Sequence, residues 1–193
     1  MSAPPSAIAQ VLGPAFERLS PEVRAAHSGE SLILAGYAQA EVGSGRLNAL
    51  VRLLFGLPRP GWNIPVTVAF ATDRNGIDNW KRNFAGRTYS SRLIAGTGRR
   101  AGLLVERQNI LTNIFALSVG PDRLVLQLTG FALFGVPLPR FLSPRCIAFE
   151  TGSAGTFTFD IVVDLPAIGR LIHYRGTLEM PDGRGYSSAS DDG

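Results

Sequence analysis

The sequence has one cysteine (Cys146), one lysine (Lys81) and two histidines (His27 and His173) in 193 residues. A lone cysteine forbids an intramolecular disulfide, so nothing in the chain calls for an oxidising compartment. Two distant histidines, with no HExxH pair and no second cysteine, leave zinc without its usual nitrogen and sulfur donors. No metal or other cofactor is therefore expected. No window approaches the ~18 uninterrupted apolar residues of a spanning helix, so no transmembrane segment is expected. The N-terminus, MSAPPSAIAQVLG, has neither a basic leading region nor a long apolar run, which argues against a secretory signal and for a cytoplasmic location. Nucleotide and hydrolase motifs are missing too. AGTGRRAG at 95–102 is glycine-rich but lacks GK[ST] and a following helix, so it reads as a turn between strands, and there is no GxSxG elbow.

What is present begins with charge. Nineteen basic and fifteen acidic residues give a formal net charge of +4 and a pI near 9.8. The cations run from Arg18 to Arg184 with no cluster longer than Arg99-Arg100. Diffuse positive charge describes a solvated surface better than a nucleic-acid or anionic-membrane face, so no nucleic-acid partner is expected. Scarce lysine beside abundant alanine, glycine and proline reads as the coding bias of a GC-rich bacterial genome. With 45% hydrophobic and 18% charged residues the chain suits a single domain over 1–193. The ordered core is expected at about 6–180, followed by a flexible polar tail at 181–193.

The dominant pattern is period two. In GTFTFDIVVDLPAIGRLIHYRGTLEM, residues 155–180, Phe157, Phe159, Ile161, Val163 and Leu165 share one side and Thr158, Asp160 and Asp164 the other. Ile172, Tyr174, Leu178 and Met180 restart the alternation after the turn, so the stretch reads as a hairpin with one buried face. Further strands are expected at 31–42, 64–72, 77–84, 88–94, 103–107, 110–119, 123–133 and 146–150. The Asn75-Gly76 pair is a strong hairpin signal between the second and third of these. FGVPLPRFLSPR at 134–145 is too rich in proline for a central strand and reads as an irregular crossing.

Two short helices, broken at Gly13-Pro14 and Ser20-Pro21, are expected within 6–26, packed as a plug on one end of the sheet. One amphipathic helix is expected at 45–56, with Leu47, Leu50, Val51 and Leu54 at helical spacing and Gly56 and Pro58 as its stop. The fold class is therefore mainly β (α+β). A single large curved antiparallel sheet or half-open barrel of about nine or ten strands wraps over the 45–56 helix, because a sheet that long curls or closes to manage its edges.

Candidate chemistry lies inside the strands. Trp80, Arg82 and Phe84 share one face, Arg92 follows in the next strand, and Glu106-Arg107 ends LLVER. One explanation is cross-strand ion pairing on a solvent face. The other is that Arg82 with Glu106 or Arg107 points into the concavity, where a guanidinium presents a planar fork to an anionic head group. His27 precedes Ser28-Gly29 and could be a loop cap or line the sheet's open end. His173 reads as a surface residue beside the core. Tyr174 has a ring for the floor and a hydroxyl that needs a partner.

Taken in order, LGPAFERLSPEVRAAHSG, the helix ending FGLP, VTVAF, Trp80-x-Arg82-x-Phe84, Ser91-Arg92-Leu93, LLVER, GVPLPRFLSP and LPAIGRLIHYRGTL resemble the bacterial family called Domain of Unknown Function 4166. The resemblance spans roughly residues 11–180. It implies no established activity and assigns no residue a role. Relatives occur alone or fused behind oxidoreductase-like domains of the saccharopine dehydrogenase or short-chain dehydrogenase type. The candidate ligand-binding positions are His27, Trp80, Arg82, Arg92, Glu106, Arg107 and Tyr174, with no catalytic residue assigned. The leading expectation is a non-catalytic module holding an apolar or amphipathic small molecule in the concavity. The alternative is an accessory domain docking on an oxidoreductase-type partner through an exposed apolar patch near 134–144. A third reading, an enzyme using His27 and Glu106 as acid and base, requires those two groups to converge.

Overall fold

A computed structural model describes residues 4–46, 48–50, 57, 59–166 and 168–181. The alternating stretches form β1 (Leu32–Val42), β2 (Gly61–Thr72), β3 (Asp78–Phe84), β4 (Arg87–Ala95), β5 (Leu103–Gln108), β6 (Leu111–Val119) and β7 (Leu124–Leu133). A two-residue β8 (Val136–Pro137) follows, then β9 (Arg145–Ser153), β10 (Thr156–Leu165) and β11 (Gly169–Glu179). Each long strand pairs antiparallel with its neighbour in sequence, and β11 returns to β1 with Ala40 opposite Tyr174 and Val42 opposite Ile172. The result is a ten-stranded closed up-and-down barrel, which leaves no long free edge. Of the two architectures expected, curved sheet or half-open barrel, the second goes to full closure.

Turn chemistry supports this order. The Asn75-Gly76 turn is held by Asp73, whose Oδ1 accepts from the amides of Asn75 (2.8 Å) and Ile77 (3.1 Å). Ala85-Gly86 and Ala154-Gly155 join their strands with both residues at positive φ, the geometry that matches strand twist in two-residue hairpins. A bulge where β6 and β7 shift register, between Ile114 and Phe115, inserts Thr129 in β7 and keeps Phe131 and Leu133 turned toward the interior.

The N-terminal segment closes one end of the barrel. Helix α1 (Ala7–Leu12) is capped by Ser6, a 3-10 turn covers Gly13–Arg18, and α2 (Pro21–Ala26) is capped by Ser20. Ile8 and Val23 are buried with the barrel core. Glu22 Oε1 accepts from the Gly155 amide at 3.0 Å, and a Cβ at Gly152 would lie 2.6 Å from both Ser20 Oγ and Glu22 Cβ, so only glycine lets α2 approach β9 this closely. The helix expected at 45–56 lies for the most part outside the described residues. Of it, 46 and 48–50 are helical, and Asn48 Nδ2 donates to the Arg170 carbonyl at 2.8 Å. The tail expected from 181 lies outside the described residues beyond its first position.

Asp78 ties plug to barrel: Oδ2 accepts from the Ala7 amide at 3.0 Å and Oδ1 from Thr72 Oγ1 at 2.6 Å. Burial raises its carboxyl pKa above the usual 3.8, although the Thr72 hydrogen bond, nearby His27 and the α1 amides pull the other way. The folded state therefore holds this proton more firmly than the unfolded chain does. The associated stability is fully present below pH 3.8 and is lost as pH rises through the folded value. Asp78→Asn should therefore gain on the wild type in urea denaturation as pH climbs through that window. A difference independent of pH would contradict this placement.

Candidate functional site

The alternation that builds the barrel also decides what faces inward. Trp80, Arg82 and Phe84 do, their shared face turning to the concavity and not to solvent, and Ser91, Glu106, Asn113, Glu150 and Tyr174 join them from five other strands. All of these but Phe84 and Ser91 line a cavity of about 330 Å³ whose wall is otherwise mostly leucine. That volume falls in the usual range for small-molecule pockets.

Arg82 is the centre of the polar group. Its guanidinium lies 4.7 Å from the Trp80 ring centroid and 5.5 Å from that of Tyr89, within cation–π range of both. One Nη donates to Ser91 Oγ at 2.8 Å. The other stands 3.6 Å from Glu106 Oε1, well beyond the 2.7–2.9 Å of a full charge-assisted bond. Glu106 Oε2 accepts instead from Asn113 Nδ2 at 3.0 Å. Burial works against the Arg82 charge, but the facing Tyr89 oxygen and Glu106 outweigh it and hold the guanidinium protonated. Burial pushes both the Tyr89 and the Tyr174 hydroxyls up, so both are neutral donors. The two interact with each other, yet Tyr89 Oη has no hydrogen bond of ordinary geometry among the described residues.

Beneath this group lies a second, buried one that reaches the cavity through Glu150. His27, 2% exposed at the C-terminus of α2, shares a 2.6 Å hydrogen bond between Nε2 and Glu150 Oε2. The other ring nitrogen, Nδ1, has no hydrogen-bond partner among the described residues. The imidazole stacks on Trp80 at 5.3 Å and meets the ring edges of Phe70 and Phe157. Glu150 thus links the plug's histidine to the cavity floor.

Five of the seven expected ligand-binding positions therefore gather in or under the cavity: His27, Trp80, Arg82, Glu106 and Tyr174. Arg92 and Arg107 do not, since they stand opposite each other on the outer surface of β4 and β5 and are exposed. The acid–base pair of His27 with Glu106 does not form. His27 bonds Glu150 and is walled off by Trp80, whereas Glu106 belongs to Arg82 and Asn113. His173, expected on the surface, is half-buried on the outer face and pairs with Asp160 at 2.8 Å. Glu150, Tyr89 and Asn113 escaped the sequence reading. The signal for Glu150 existed, because Cys146, Ala148 and Glu150 alternate in one strand, which places the carboxylate on the same face as a buried alanine.

The barrel wall is open toward the end opposite the plug, and the cavity extends there to Leu138 and Leu142. β7 pairs with β9 only from Leu124 to Gln127; beyond that the strands part and the chain at 134–144 fills the gap. Leu128, Leu138, Pro144 and Cys146 line both the interior cavity and an outer groove beside this excursion. Burial pushes the Cys146 thiol up to about 12, so it is an apolar wall element and not a nucleophile. Among the described residues, no three His, Cys, Asp or Glu are grouped to hold a metal ion, and no helix is long and apolar enough to cross a membrane.

A family model described as "Domain of unknown function" matches residues 19–178, which is the barrel up to Leu178 and, of the plug, only α2. The crystal structure of Rv2717c from M. tuberculosis superposes with a TM-score of 0.48 and 14% identity, covering 85% of this chain and 99% of that one. No curated protein matches the sequence.

Proposed function

The chain belongs to the family described as Domain of unknown function (DUF4166), and we propose that it binds an amphipathic small molecule inside the barrel without carrying out chemistry on it. The observation that carries this reading is the underused Arg82. A protonated guanidinium is held rigid between two aromatic rings, faces an apolar cavity of about 330 Å³, and is only loosely engaged by Glu106 at 3.6 Å. Burying such a charge is costly unless something partners it well, and a ligand's acidic head group supplies the missing partner. The Tyr89 hydroxyl, buried and without a regular hydrogen bond, offers that head group a second donor. The leucine-rich wall takes the apolar remainder.

A non-catalytic role follows from how the other titratable groups are used. His27 is sealed behind Trp80 on Glu150, and Glu106 is engaged by Asn113. Among the described residues no base is left free beside a nucleophile in the cavity, which is what acid–base or covalent catalysis needs.

Anilinonaphthalene sulfonate, an amphipathic anion that fluoresces in apolar sites, tests the reading. The wild type should bind one equivalent, displaced by decanoate. Leu126→Trp, which puts an indole into the cavity from a buried position, should abolish saturable binding while circular dichroism stays that of the wild type. Binding unaffected by Leu126→Trp would place the probe elsewhere and contradict the proposal.

Docking on an oxidoreductase-type protein rests on a different observation. Phe134, Val136, Phe141 and Leu142 are all exposed, within the stretch where that reading requires an apolar patch.

A further inference from the structure

The positive charge that looks scattered along the sequence sorts by end in the barrel. Five connections make up the open end: 43–60, 85–86, 109–110, 134–144 and 166–168. Among their described residues they carry Arg46, Arg59 and Arg140 and no aspartate or glutamate, and the two carboxylates nearest them, Glu41 and Asp164, are paired with Arg175 at 3.9 Å and with Arg170 at 2.6 Å. The plugged end is mixed by contrast, with Glu17, Glu22, Glu30, Asp73 and Asp122 among its arginines.

Exposed apolar side chains sort the same way. Of the nine large ones exposed among the described residues, all but Ile33 and Tyr37 lie at or next to the open end. Phe134 and Phe141 are 72% and 73% exposed, flanking Val136, and Leu142 stands beside the arginine at 140. A single exposed leucine needs no explanation, but a cluster on one rim does.

From these two sortings we propose that the open end is a membrane-docking surface. Phe134, Val136, Phe141 and Leu142 enter the headgroup boundary of an anionic bilayer, and Arg59 and Arg140 meet its phosphates. Charge decides for a lipid surface over a protein one. A bilayer with anionic lipid is uniformly negative, so it attracts a rim whose connections carry arginines and whose nearest acids, Glu41 and Asp164, are already paired with arginine, at every orientation about the barrel axis. A protein partner has both signs, and its specific interface needs acids as well as bases for register. Aromatic and aliphatic side chains interspersed with arginine are also the composition that buries at the acyl boundary. Leu138 and Leu142 of this rim also line the cavity, which gives an apolar ligand a route between bilayer and barrel. Docking itself does not depend on the cavity reading.

Vesicle co-sedimentation tests the proposal on the full chain. At about 0.1 M salt the protein should pellet with phosphatidylcholine vesicles containing about 30 mol % phosphatidylglycerol and stay in solution with phosphatidylcholine alone. Phe134→Ser with Phe141→Ser, and separately Arg140→Glu, should each weaken the association at least about tenfold. Arg99→Glu with Arg100→Glu, at the plugged end, should not. Circular dichroism and an unchanged anilinonaphthalene sulfonate titration in Leu126-intact variants show that the barrel is folded and the cavity whole, so failure here is distinguishable from failure of the cavity reading. Three results overturn the proposal: no association with the anionic vesicles, equal association of the Phe134→Ser/Phe141→Ser variant, or a stable dimer or protein complex formed through this rim in sedimentation equilibrium.

Discussion

Arg82→Met is expected to weaken decanoate binding by about thirtyfold, or roughly 2 kcal/mol, while leaving decanol binding within about twofold. Methionine preserves most of the apolar stem, so the contact with the Trp80 and Tyr89 rings is kept and only the charge and its donors are lost. Hydrogen bonds to charged groups contribute about 1.5–3 kcal/mol, more than neutral ones, and decanol cannot exploit the difference. Arg82→Lys should fall between, because a point charge replaces a planar fork. The substitution removes the Ser91 hydrogen bond but leaves Glu106 on Asn113, so the urea midpoint should move less than the affinity does. Calorimetric titration of both ligands reads the split. Equal losses for acid and alcohol would mean that Arg82 only shapes the cavity.

Glu150→Ala is expected to cost about 3–5 kcal/mol of folding stability, the largest effect of any single substitution considered. His27 has no other partner among the described residues, since Nδ1 is already without one, so losing Glu150 leaves the whole imidazole unpaired under Trp80, Phe70 and Phe157. Glu150→Gln keeps an acceptor for Nε2 and should cost only about 1 kcal/mol. Urea denaturation distinguishes the two. Similar small losses from both would show that the histidine finds water, and that the plug is not sealed at this point.

The strands were legible because burial on one face of a barrel writes period two into the sequence. All of the expected strands are present, and most boundaries move by only a residue or two. Closure was less legible: it depends on β6 meeting β7 and β1 meeting β11, and no local pattern encodes how far a sheet curls. Trp80, Arg82 and Phe84 were readable as one face, and the face proves to be the inner one. Arg92 and Arg107 could not be sorted the same way, because an isolated arginine in a strand gives no sign of which side is solvent until its neighbours' register is known. The His27–Glu150 contact joins residues 123 positions apart, so it was invisible to motif reading and exists only because the α2 plug docks on β9. The apolar rim was partly legible, since proline excluded 134–144 from the wall, but its coincidence with acid-free arginine loops appears only once the connections are sorted by barrel end.

The central claim, that the barrel interior receives an amphipathic molecule head-first at Arg82, is tested most directly by a crystal structure of the protein with ω-bromodecanoate. The account predicts the carboxylate within hydrogen-bond distance of the Arg82 guanidinium and the anomalous bromine peak toward the mouth, near Leu133, Leu138 and Leu142. A bromine peak at the Glu150 floor, or a molecule bound only on the outer wall with the interior unfilled, would contradict it.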